Sequence, residues 1–217
     1  MNTAEESPLL ISYLTLRKLI GLLGLLFPLI LLMGGYLTNT QIQNSISYYY
    51  YTPMNDIFVG ILCMVAAFFL AYQGYDNKDA IAGRVAGLSA IGVALVPTVI
   101  DCKPTETQII LGYLHLFFAM IYFSSIAYFC LFLFTQSKSC KQTLRKKQRN
   151  LMYKICGYTI IISLIFIAIY TLVPNKYSAA FDHLNPIFWL ESIAIVSFGY
   201  AWLIKGETLF KDLKSKK

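Results

Sequence analysis

Two ionisable side chains, His115 and Glu191, lie inside long apolar runs of this 217-residue chain. Placing such a group at membrane depth costs at least about 2.5 kcal/mol on insertion scales, so each should face protein and find a partner there. His115 lies roughly 9 Å below the start of its run at Ile109, and Glu191 lies roughly 6 Å below the start of its run at Ile187. The two depths match on one side of the membrane, which makes each the natural partner of the other. Loops on that side carry further polar groups: Asp56 at the mouth of a helix, Asp101 and Glu106, Asp182 and His183, and Tyr49 within a run of four tyrosines. Three chemistries suit the set. A hydrogen-bonded His115–Glu191 pair can hold helices together or gate a pocket. The same pair can relay protons. A zinc ion can take nitrogen from His115 and His183 and oxygen from Glu191, because a catalytic zinc needs three protein ligands and an open position. No HxxxH or HExxH spacing enforces that convergence, so no cofactor is expected, with Zn the metal the residue types would suit.

The elements that must position these groups follow from hydropathy. The chain is 57% hydrophobic and 13% charged, against roughly 45–50% and about 25% in soluble domains, so lipid is its expected solvent. A bilayer core about 30 Å thick needs roughly 20 apolar residues in helical form. Six segments meet that length, at 19–37, 57–72, 81–99, 109–134, 155–173 and 187–204. The fold expected is an all-α, six-span membrane bundle forming one domain over residues 1–217. The chain has 18 lysines and arginines, and all but Lys103 and Lys176 fall on the side of the N-terminus when six spans are counted. The positive-inside rule then places both termini in the cytoplasm, and the expected location is the bacterial inner membrane. The net charge of +7 is explained by this asymmetry, and nucleic acid is not an expected partner.

Asp56 is placed to cap the second span. Pro28 should kink the first. Alanines 82, 86, 90 and 94, with Gly83 and Gly87, form a small-residue face that lets the third span pack closely at the centre of the bundle. Trp189 and Trp202, and tyrosines such as Tyr36, Tyr72, Tyr113, Tyr153 and Tyr170, stand at span ends as interfacial anchors do. The five cysteines make no CxxC pair and read as packing residues. The basic loop at 138–154 enforces topology and can bind anionic lipid headgroups.

Several runs carry a resemblance. Ser45-Ile46-Ser47 with Tyr49-Tyr50-Tyr51-Thr52, Asp56-Ile57-Phe58-Val59-Gly60, Ala90-Ile91-Gly92-Val93-Ala94-Leu95-Val96-Pro97-Thr98, Gly112-Tyr113-Leu114-His115 and Trp189-Leu190-Glu191 together look like a family of uncharacterised bacterial multi-pass membrane proteins. That likeness spans nearly the whole chain and implies no activity. The serine and tyrosine run before Asp56 is also remotely similar to part of the alkaline ceramidase and adiponectin-receptor superfamily of intramembrane metal-dependent hydrolases. The chain has six spans rather than seven, tyrosine where that pattern has histidine, and no HxxxH near its end. The reading is a bundle with an outward polar pocket for a lipid or small solute, built on His115 and Glu191, with Asp56, Asp101 and His183 at its rim. An intramembrane metal-dependent lipid hydrolase and a small proton-coupled transporter are the alternatives.

Overall fold

The computed structural model describes residues 13–72, 74, 76–100, 103–137, 142–174 and 181–208, and among them all regular structure is helical. Six long helices form: α1 (Tyr13–Leu37), α2 (Asn55–Ala71), α3 (Asn77–Leu95), α4 (Glu106–Tyr128), α5 (Leu144–Leu172) and α6 (Pro186–Lys205). Short 3-10 helices at Ile46–Tyr51 and Asp182–Leu184 sit in the α1–α2 and α5–α6 connections. A π-helical turn at Phe129–Leu133 extends α4. Four helices, Leu14–Leu37, Glu106–Leu133, Leu144–Leu172 and Asp182–Lys205, are long and apolar enough to cross a membrane, and Asn55–Ala71 is a shorter apolar helix. α3 is less apolar, with Lys78, Asp79 and Arg84 in its first turns.

Consecutive helices are neighbours, and α6 closes the ring against α1. The seams between α1 and α2 and between α4 and α5 are the thinnest. α1 and α6 cross at glycines: a Cβ on Gly199 would lie 2.4 Å from the Leu25 backbone nitrogen and 2.7 Å from the Gly21 carbonyl oxygen. No side chain fits there, and close backbone approach supplies the packing that lipid cannot drive.

The small-residue face of α3 does pack closely, against α2: Ala86, Ala90 and Ala94 are fully buried, and a Cβ on Gly83 would meet the Phe69 carbonyl at 2.8 Å. The centre of the bundle, however, is aromatic and belongs to α2, α4 and α6. Trp202 of α6 stands edge-on to Phe68, Phe69 and Tyr72 of α2 at 5.0–5.6 Å between centroids and also meets Phe129, Phe134 and Phe198. Trp202 is therefore core rather than an interfacial anchor, and so are Tyr72 and Tyr153, each 2% exposed. Tyr36, Tyr113 and Trp189 remain on the surface.

Other expectations shift in detail. α1 runs unbroken through Pro28. α3 stops at Leu95, four residues before the expected end, because Pro97 disfavours helical geometry at the residue before it, and Val96 is extended. α5 starts at Leu144, with Thr143 capping the Lys146 amide, so most of the basic segment is helix rather than loop. α2 starts after Met54, which makes no side-chain cap, and Asp56 sits exposed in its first turn. There the Asp56 carboxylate complements the helix dipole instead of occupying the cap position. Cys130 and Cys156 are buried free thiols and Cys63 is half-buried; Cys102 and Cys140 lie outside the described residues.

Candidate functional site

The 3-10 helix Ile46–Tyr51 lies over the bundle end and is held at four points. The Asn44 carbonyl accepts the Phe188 amide at 3.0 Å. This caps α6, whose own entry has no side-chain cap: Asn185 is left-handed, with φ 49°, and Pro186 occupies the first turn. One turn further along α6, Glu191 Oε2 accepts the Ser45 hydroxyl at 2.9 Å and the Ile46 amide at 2.6 Å. The Tyr51 hydroxyl donates to the Thr98 carbonyl at 2.6 Å, tying the segment to the α3–α4 connection. Finally, Ser47 Oγ lies 3.0 Å from His115 Nε2.

The last contact has a definite direction. His115 Nδ1 lies 2.7 Å from the Val96 carbonyl oxygen, and a carbonyl only accepts, so Nδ1 carries a proton. In the neutral ring Nε2 then holds the lone pair and Ser47 donates to it. Pro97 makes this possible, because ending α3 at Leu95 turns the Val96 carbonyl out of the helix. On the α4 side, a capping box fixes where that helix starts. The Gln108 amide donates to Thr105 Oγ1, and the Thr105 amide donates to Gln108 Oε1 at 2.7 Å. Ser45 completes the order within the 3-10 segment, its hydroxyl oxygen accepting the Ser47 amide at 3.1 Å.

His115 and Glu191 thus do not bond to each other, contrary to what their matched depths suggest. Both bond to Ser45–Ser47, and both line a cavity of about 410 Å³. Its polar end also includes Asn44, Tyr48 and Thr98, and the rest is apolar, with Phe27, Phe58, Leu62, Val93, Tyr122, Phe123 and Ile195 in the wall. On one flank lie Ile109, Tyr113 and Leu116 of α4 and Thr171 of α5, all exposed. The opening is therefore the thin α4–α5 seam. Burial, and then the charge of Glu191, hold the Tyr48 hydroxyl above the ordinary phenol range, so it stays a proton donor.

The other expected site residues are elsewhere. His183 is exposed on the Asp182–Leu184 turn, where Asp182 accepts the Tyr170 hydroxyl. Tyr49 is 1% exposed and packs on Phe188 at 6.1 Å between centroids. Asp101 lies outside the described residues. Among the described residues no three His, Cys, Asp or Glu side chains come together as metal ligands. His115 is engaged at both nitrogens and His183 is not among the residues lining the cavity, so the described structure does not bring His115, His183 and Glu191 together. The residues missed in the sequence are Ser45 and Ser47. Their signal was the Ser-x-Ser spacing at the start of a tyrosine run with no basic residue. No protein-family model, no curated protein and no solved structure matches this chain.

Proposed function

We propose that the chain is a six-span membrane protein, both termini cytoplasmic, whose outer-face cavity binds a single-chain amphiphile taken sideways from the outer leaflet. The observation that carries this is the cavity's two-ended chemistry beside a thin helix seam. Apolar rings suit a hydrocarbon chain, while Ser45, Ser47, His115 and Glu191 gather at one end to meet a headgroup. A volume of about 410 Å³ falls within the roughly 300–1,000 Å³ of small-molecule sites. The six-span count is supported by the distribution of lysine and arginine and by six long helices, although α2 and α3 are the shortest and α3 carries Lys78, Asp79 and Arg84 near its start. Aromatic packing of Phe69, Phe129, Phe198 and Trp202, all at most 1% exposed, occupies the bundle centre, which favours a closed-ended pocket over a proton-coupled path across the membrane. The bacterial inner membrane is the location that goes with this reading.

The basic start of α5 supports a second contact with lipid. Arg145, Lys146 and Lys147 occupy its first turn with no acidic residue there, opposite in sign to what the helix dipole favours. Anionic headgroups at the cytoplasmic surface, worth about 1 kcal/mol per basic residue, offset that.

Native mass spectrometry of the detergent-released protein with a hexadecyl ether-linked lysophosphatidylglycerol, which carries no ester, tests the pocket. Wild type is expected to retain one lipid. Ala119→Phe, which fills the cavity wall from α4, should weaken retention at least about tenfold, equivalent to about 1.4 kcal/mol. Equal retention by the two proteins would place the lipid elsewhere.

A further inference from the structure

Resting on that pocket, we infer that Ser47 and His115 form a nucleophile–base pair that cleaves a carboxylic ester of the bound amphiphile. The geometry is that of an activated serine. The Ser47 hydroxyl points its proton at His115 Nε2 over 3.0 Å, and a third group, the Val96 carbonyl at 2.7 Å from Nδ1, holds the ring in the required tautomer. Both side chains line the cavity, and Ser47 is half-buried rather than sealed. A purely structural contact would need neither a cavity beside it nor an orienting group behind the base.

The chemistry balances with water as the one co-reactant. Ser47 Oγ attacks the ester carbonyl carbon and its proton passes to His115 Nε2. The tetrahedral adduct collapses, the bond to the alcohol oxygen breaks, and His115 returns the proton to that oxygen. An acyl-Ser47 ester remains. Water then attacks it, giving a proton to His115, and the Ser47–acyl bond breaks as Ser47 takes that proton back. The products are a fatty acid and an alcohol, with no change in oxidation state. Asn44 and Tyr48, in the same wall, carry the side-chain donors that a developing oxyanion needs. Glu191 acts through the Ser45 hydroxyl and Ile46 amide as a positioning residue, fixing the backbone from which Ser47 projects.

The test uses dodecyl fluorophosphonate on wild-type protein in nanodiscs, read by intact mass and by peptide mapping of the adduct, with retention of the ether-linked lysophosphatidylglycerol measured on the same preparation before labelling. One adduct on Ser47 is expected, with labelling slowed at least about a hundredfold in His115→Gln, in line with the loss of a general base. Ser47→Ala should give no adduct. An unlabelled wild type that still retains lysolipid, or an adduct only on another residue, overturns the dyad and leaves the pocket standing. Loss of both lipid and label overturns both. Because the mapped site is read on wild-type protein, a variant that fails to fold does not decide the outcome.

Discussion

Glu191→Leu is expected to lower stability by about 2–6 kcal/mol, because it strips the acceptor from two buried donors at once. Ser45 and Ile46 are 8% and 3% exposed, so the Ser45 hydroxyl and the Ile46 amide have little access to bulk water. Leaving a buried donor unmatched costs about 1–3 kcal/mol each. Against a total of about 5–15 kcal/mol, the loss should be visible as reduced yield and a lower Tm in detergent. Glu191→Gln keeps an acceptor oxygen on a side chain of nearly the same shape, so most of the stability should return. The local consequence is the informative one. Hydrogen exchange at Ile46–Tyr51 should rise in the leucine variant and stay close to wild type in the glutamine variant. If leucine were as stable as wild type, the clamp of the 3-10 segment on α6 would not be what holds the site.

Trp202→Ala should be the most damaging substitution in the aromatic centre of the bundle, with a loss of about 3–5 kcal/mol. Six aromatic rings surround the indole, and its removal leaves a cavity shared among α2, α4 and α6. Lipid gives no hydrophobic penalty for separating these helices, so dispersion and ring-edge packing carry the stabilisation. Among the described residues the indole N–H has no hydrogen-bond partner. Trp202→Phe therefore sacrifices packing volume alone and should recover at least half of the loss in a thermal melt. Equal damage from alanine and phenylalanine would point to a bond made by the N–H instead.

The aromatic core also marks a limit of sequence reading. Tryptophan and tyrosine at the end of an apolar run suit a membrane interface, and that is how Trp202, Tyr72 and Tyr153 read. Which of them turn inward depends on where neighbouring helices stand, and a single helix's sequence does not carry that information. The helices themselves were legible because a run of apolar residues is a local property. So were the positions of His115 and Glu191 in the first few turns of α4 and α6, since rise per residue sets them. Their partners were not. The bond acceptor for His115 is a backbone carbonyl, freed by Pro97 just past the end of α3, and nothing in residue identity marks a carbonyl. Likewise, Glu191 bonds to Ser45 across 146 positions of chain. His183 reads as a ligand only by its residue type, and the turn at Asp182–Leu184 leaves it exposed. The α5 start was missed because charged residues broke the apolar run while the helix continued through them.

The most direct measurement of the central claim is photocrosslinking in nanodiscs with an ether-linked hexadecyl lysophosphatidylglycerol carrying a diazirine at the end of its chain. The account predicts adducts on the cavity wall, at Leu116, Ala119 and Phe123 of α4 and Ile167 of α5, that disappear in Ala119→Phe. Adducts confined to outward-facing residues such as Leu88 and Ile162, and unchanged by that substitution, would contradict it.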